Sequence, residues 1–180
     1  MSWGLIQIYT GNGKGKTSAA LGVALRAAAT GHHVAIVSFD KGGSSHYSER
    51  NIIRERLPMI DLYPVGRDRI DPVSNRFDFS IVDADRQEGE RGIAIVRQLY
   101  DGHCHDLIVL DEICSSASLG IVSESSVLAI LDQKPKDIEL ILTGRNASST
   151  ILERADLVTE MCAVKHYFDR GVSAREGLDF

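Results

Sequence analysis

The sequence predicts an α/β protein of three layers, with helices on both faces of a mainly parallel sheet of five or six strands. Three observations predict it. Short apolar runs alternate with helical patterns along the whole chain, the β-α-β-α order that gives parallel strands joined by right-handed crossovers. Two of those runs, Leu107–Leu110 and Ile138–Thr143, are apolar almost without interruption, as strands covered on both faces must be. The first run leads into a glycine-rich turn and an alanine-rich helix, which puts a ligand-binding turn at the carboxyl end of a strand.

The elements follow in order. Leu5–Tyr9 reads as the first strand and Lys16–Ala29 as the first helix, stopped by Gly31. Val34–Phe39 reads as a strand, Ser45–Arg56 as a helix and Ile60–Tyr63 as the third strand. Gly66–Asp85 is the least regular stretch, holding Pro72, scattered charges, Phe77 and Phe79; it is either a surface connection or a loop over a site. A helix over Arg86–Tyr100 precedes the strand Leu107–Leu110. Ser123 caps a helix over Ser123–Asp132, and Pro135 follows it. The strand Ile138–Thr143, a helix over Ser148–Ala155 and a strand over Leu157–Met161 complete the pattern. No repeat or linker divides the chain, so residues 1–180 are expected to form one domain.

Composition narrows the function. The 180 residues are 43% hydrophobic and carry a net charge of −5 with no run of like charges, so no stripe for a nucleic-acid partner is expected. No stretch reaches membrane-spanning length. Met1-Ser-Trp-Gly4 leads straight into the first strand without a signal-peptide pattern, which predicts a cytoplasmic protein. Cys104, Cys114 and Cys162 lack the spacing of a zinc site or a disulfide framework. His103-Cys104-His105 has no fourth ligand nearby, so these cysteines read as buried or surface residues.

The chemistry is concentrated in Thr10-Gly-Asn-Gly-Lys-Gly-Lys-Thr17. Glycines let the backbone wrap around phosphate oxygens, and the helix N-terminus adds partial positive charge. Gly11, Asn12, Gly13, Lys14, Gly15 and Ser18 would form the cradle, Lys16 would reach the phosphates, and the Thr17 hydroxyl would sit on Mg²⁺. Thr10 stands where the general phosphate-loop pattern has its first glycine. Leu107-Ile-Val-Leu-Asp111-Glu112 has the form of a strand delivering acidic metal ligands beside that loop. Arg145, after Thr143-Gly144, is either a phosphate contact or a surface arginine in a turn. Lys41, before Gly42-Gly43, is either a second contact or a solvated lysine. Glu49 and Arg50 read by themselves as an exposed charged face. Together these residues predict a P-loop NTPase (RecA-like) fold binding Mg²⁺ (or Mn²⁺) and a nucleoside triphosphate, and leave open which bond breaks.

The combination resembles one family, the P-loop ATP:corrinoid adenosyltransferases. Gly11–Ala20 is similar to the family loop G-N-G-K-G-K-T-(T/S)-A-A, which also lacks the first glycine. Arg26 matches an arginine further along the first helix, and Glu49-Arg50-Asn51 resembles G-E-R-N with Ser48 replacing glycine. Val109–Glu112 resembles V-L-D-E, Thr143–Arg145 resembles T-G-R, and Val164–Phe180 resembles the family's closing segment. Phe77-Asp-Phe79 resembles its F-x-W, with phenylalanine for tryptophan; both side chains could equally anchor a loop to the core. Ile113–Ser116 departs from the family pattern, and the chain begins close to its first strand where well-known members carry an extension.

The resemblance implies transfer of the 5′-deoxyadenosyl group of ATP to Co(I) of a corrinoid, with tripolyphosphate leaving. It implies Lys14, Lys16 and Arg145 on the triphosphate, Thr17 and Glu112 on the metal with Asp111 in support, and Arg26 and Glu49 near the nucleoside. Phe77 and Phe79 would lie beneath the corrin, an electron donor would supply Co(I), and the protein would be a homodimer. The alternatives are a P-loop NTPase or small-molecule kinase, and a non-catalytic module binding ATP or corrinoid.

Overall fold

A computed structural model of the chain describes residues 3–43, 47–69 and 78–179. Among them, β1 (Ile6–Thr10), β2 (Val34–Ser38), β3 (Ile60–Pro64), β4 (Leu107–Asp111), β5 (Glu139–Thr143) and β6 (Leu157–Glu160) form one sheet. Its order is β3-β2-β4-β5-β1-β6, and every pairing is parallel. The helices are α1 (Lys16–Ala29), α2 (Glu49–Arg56), α3 (Asp83–Gly102), α4 (Ile113–Ser118), α5 (Glu124–Gln133) and α6 (Ser149–Leu152).

The side-chain period of two sorts the central strands between two cores. On one face Val34, Ile36, Leu107, Val109 and Ile141 pack with Ala20, Ala24 and Ala27 of α1 and Ile53 of α2. On the other face Ala35, Val37, Ile108, Leu110, Leu140 and Leu142 pack with Ile93 and Val96 of α3, Ile113 of α4 and Ile130 of α5. The small alanines of α1 bring its backbone close to the sheet. That is the three-layer RecA-like architecture the alternation predicts. The edge strand β6 differs, since all four of its residues are exposed.

One consequence of the topology positions the site. β5 lies between β1, which carries the glycine turn, and β4, which carries the acidic pair. The two motifs are therefore one strand apart, with the end of β5 between them.

Several boundaries move. α3 starts at Asp83, three residues before the predicted Arg86, because Asp85 turns back to accept the Val82 N–H at 2.8 Å. α6 occupies only Ser149–Leu152 of the expected Ser148–Ala155, capped by Ser148. α2 runs from Glu49, and positions 44–46 of the predicted helix lie outside the described residues. The helix α4 was not expected, since six residues are too few to show a periodicity. Ser123 caps α5 as predicted, accepting from the Ser126 N–H.

All three cysteines are free, with Cys114 buried in α4 and Cys104 and Cys162 exposed. Burial, reinforced by Glu112, pushes the Cys114 thiol up to about 12. A thiolate-directed reagent at pH 8 is therefore expected to modify two cysteines in the native protein and the third only after denaturation. Three thiols reacting in the native state would refute this packing.

Candidate active site

The glycine turn folds as the sequence predicts, and the structure explains its unusual start. Thr10 is still in β1, paired with Glu160 of β6, and its extended backbone needs no glycine. The left-handed conformations come later, at Gly11 and at Gly15, where φ is +114°. Gly13 is required for a different reason: a Cβ there would come within 2.6 Å of the Met161 carbonyl oxygen. No side chain caps the N-terminus of α1, so its first-turn N–H groups remain available to an anion.

Lys16 is buried beneath the turn and donates to the carbonyls of Gly11 and Gly13, both at 2.8 Å. Burial holds its pKa below the ordinary value of 10.5. Glu112 and Asp111 oppose that shift, while Arg145 and Lys41 add to it. Lys16 is thus a cation kept partly desolvated among other cations, the setting in which a polyanion is most welcome.

Asp111 sits behind Thr17, almost wholly buried. Its Oδ1 accepts from Thr17 Oγ1 at 2.9 Å and from Thr143 Oγ1 at 2.6 Å, and its Oδ2 accepts from Lys41 Nζ at 2.5 Å. Burial alone would raise its pKa, but Lys41 and the two hydroxyls outweigh it and keep the carboxyl below its ordinary value. Burial pulls the Lys41 pKa down, but Asp111 and Glu112 together outweigh it and raise it above its ordinary value. Lys41 is therefore not a solvated loop lysine. Thr143, at the end of β5, also accepts the Glu112 N–H at 2.9 Å and so holds both residues of the acidic pair. Its only signal in the sequence is a hydroxyl closing the buried apolar run Leu140–Leu142.

Glu112 adopts a left-handed backbone, φ +61°, uncommon outside glycine. Its Oε2 accepts from Ser115 Oγ at 2.6 Å, and Ser115 Oγ accepts the Arg145 N–H at 2.8 Å. The Arg145 side chain stands exposed at the mouth of the same cleft. Thr17, Asp111 and Glu112 together offer only hard oxygen donors, which suits Mg²⁺ or Mn²⁺.

One expectation needs correction, and two predicted site residues lie away from the cleft. Arg50 is not on an exposed face: it is 3% exposed, donates to the carbonyls of Lys41 (2.6 Å) and Gly43 (2.9 Å), and stacks on Tyr47 at 4.0 Å. Arg26 is exposed in the last turn of α1, about 15 Å along the axis from Lys16 at 1.5 Å per residue. The structure does not bring it to the cleft. Phe79 is exposed on the segment leading into α3 and does not line the cleft either. Phe77 lies outside the described residues.

The cleft, about 1030 Å³, is bounded on one side by residues of the glycine turn, Lys41, Glu49, Glu112 and Arg145. The other side is the closing segment of the chain, including His166, Tyr167 and Phe168 from a short 3-10 helix and its cap. This segment folds against the phosphate loop: Gly13 N donates to Met161 O at 2.6 Å, and Asn12 Oδ1 accepts the Ala163 N–H at 3.2 Å. Lys14 Nζ donates to Leu178 O at 2.6 Å and pairs with Asp179 at 2.7 Å. Asp179 also accepts from Tyr167 Oη and from Arg175 N and Nε.

His105 pairs with Asp61 at 2.9 Å at the amino ends of the strands, opposite the glycine turn. Among the described residues, no group of three or more His, Cys, Asp or Glu side chains is placed to hold a metal. None of the described helices is long and apolar enough to cross a membrane.

The fold and the loop define a P-loop nucleotide-binding protein of the RecA-like class. The model of the ATP:corrinoid adenosyltransferase BtuR/CobO/CobP family matches residues 2–180, and the chain belongs to that family. It is 34% identical to corrinoid adenosyltransferase CobA of Salmonella typhimurium over 177 residues, covering 98% of this chain and 86% of that protein. The corrinoid adenosyltransferase of Escherichia coli is 33% identical, covering 98% of this chain and 86% of that protein. That of Pseudomonas aeruginosa is also 33% identical, with 98% and 84% covered.

Proposed function

We propose that this cleft transfers the 5′-deoxyadenosyl group of ATP to a corrinoid, with the glycine turn gripping the group that leaves. The observation that carries the reading is the family match along the whole chain, joined to a phosphate loop whose lysines converge with Arg145 on one cleft. The corrinoid is the second substrate. Its cobalt, as Co(I), gives an electron pair to C5′ of ATP; the Co–C bond forms, the C5′–O bond breaks, and the bonding pair departs on tripolyphosphate.

The chain's own task is electrostatic. Charge accumulates on the triphosphate as the C5′–O bond breaks, so cations fixed around it stabilise the transition state more than the ground state. Lys16, already beneath the turn, and Arg145, at the mouth, hold the triphosphate. Lys14 joins them by exchanging Asp179 for a phosphate oxygen. Thr17 and Asp111 would hold Mg²⁺ or Mn²⁺, with Glu112 in support, and the ion would offset part of the triphosphate charge. Glu49 faces the nucleoside from the start of α2. A separate electron donor gives one electron to the corrinoid's Co(II) to make Co(I), and the protein works as a cytoplasmic homodimer.

The test is product analysis with chemically generated Co(I)-cobalamin, ATP and Mg²⁺. The expected result is a Co–C bond seen spectroscopically and one tripolyphosphate per turnover. ADP with phosphate would sink the proposal in favour of a P-loop NTPase or kinase. Tight corrinoid binding without adenosylation from Co(I) would make the protein a carrier.

A further inference from the structure

The loop after β2 is clamped with unusual care for a glycine-rich surface segment. The two guanidinium nitrogens of buried Arg50 hold the carbonyls of Lys41 and Gly43. Asp40 is held by a second buried arginine, Arg69, at 2.6 Å. The Lys41 N–H donates to Val65 O at 2.9 Å. Gly42 lies so close to the next loop that a Cβ would come within 1.9 Å of the Gly66 carbonyl oxygen. Burying an arginine is costly unless its donors are matched; Arg50 directs two of its nitrogens to this loop, and Arg69 ties Asp40 to the carbonyls of Asp78 and Ser80.

What the clamp delivers is the Lys41 ammonium, 2.5 Å from Asp111 Oδ2 and 3.2 Å from Thr17 Oγ1. Those two side chains are the ones assigned above to a divalent cation. An ion bound to Thr17 Oγ1 at about 2.1 Å would lie within about 5 Å of the ammonium, and like charges that close repel strongly away from bulk water. It would also find Asp111 Oδ2 already taken.

We propose that Lys41 is the resident counter-ion of Asp111, so that a divalent cation joins Asp111 and Thr17 only when a triphosphate draws the ammonium away. Nucleotide and metal then load together, and free metal is refused. Arg50, and Arg69 through Asp40, are positioning residues for Lys41. The inference rests on the metal assignment of the proposed function.

The test is Mn²⁺ binding, followed by electron paramagnetic resonance and equilibrium dialysis of the whole protein. Without nucleotide, Lys41→Met is expected to bind Mn²⁺ at least about tenfold more tightly than wild type, and the wild-type affinity is expected to appear on adding ATP. Arg50→Lys keeps the charge but loosens the clamp, and should shift nucleotide-free affinity in the same direction. Equal nucleotide-free affinity in wild type and both variants overturns the inference alone. The double variant Lys41→Met/Asp111→Asn is expected to lose the gained site; if it keeps Mn²⁺, the metal assignment itself fails.

Discussion

Lys16→Ala is expected to lower kcat/KM for MgATP, measured with preformed Co(I), by about 10²–10³, the equivalent of about 3–4 kcal/mol. Lys16 is buried under the turn and aimed through it by the carbonyls of Gly11 and Gly13. Its charge, held in a buried place beneath the turn, cannot be replaced by water or by the exposed Lys14. Because charge grows on the leaving triphosphate, kcat should fall along with the apparent ATP affinity. Unchanged ATP kinetics would defeat the assignment. The same variant has a second readout. The folded-state pKa of Lys16 lies below the ordinary 10.5, so the unfolded chain binds the extra proton between the two values, and wild-type stability rises as pH climbs through that interval. Lys16→Ala should lack that rise in denaturant titrations at pH 7 and pH 10.

What could be read from the sequence was what is local. The turn Gly11–Thr17, the apolar run before Asp111 and the alternation of strands and helices each announce themselves within a dozen residues, and each is where the sequence puts it. Long-range pairing was not legible. Nothing near Thr143 says that β5 will separate β1 from β4, yet that placement gives its hydroxyl to Asp111. Arg50 sits in a strongly polar helix and reads as solvated; its partners are carbonyls seven and nine residues earlier, in a loop that only the tertiary fold returns to it. The closing segment shows no periodicity because polar contacts hold it, with Asp179 meeting Lys14 across most of the chain's length. Arg26 is the converse case: the motif match places it on α1, and the fold sets it in the last turn, away from Lys16.

Asp111→Asn separates two roles that overlap in this one carboxylate. The change keeps the shape and one acceptor but leaves the Lys41 ammonium in a largely buried place without its counter-ion, a loss of about 3 kcal/mol in unfolding free energy. In the wild type the pair is robust: the Asp111 pKa is below its ordinary value, so the contribution persists at every pH above the ordinary carboxylate range and is lost only as pH falls through the lowered value. Activity should fall by at least about 10² through loss of the metal anchor and of the Thr17 orientation. Adding Lys41→Met removes the stranded cation. Deleting both partners of a buried pair is far less harmful than deleting one, so the double variant should recover most of the lost stability, and the cycle measures the coupling directly. Activity should not return with it, because the metal still lacks its anchor. If both recover, Asp111 exists only to neutralise Lys41, and the metal has to be sought at Glu112. If stability returns alone, the carboxylate serves the triphosphate as well as the fold, which is the outcome that the geometry of Thr17, Thr143 and Lys41 around it predicts.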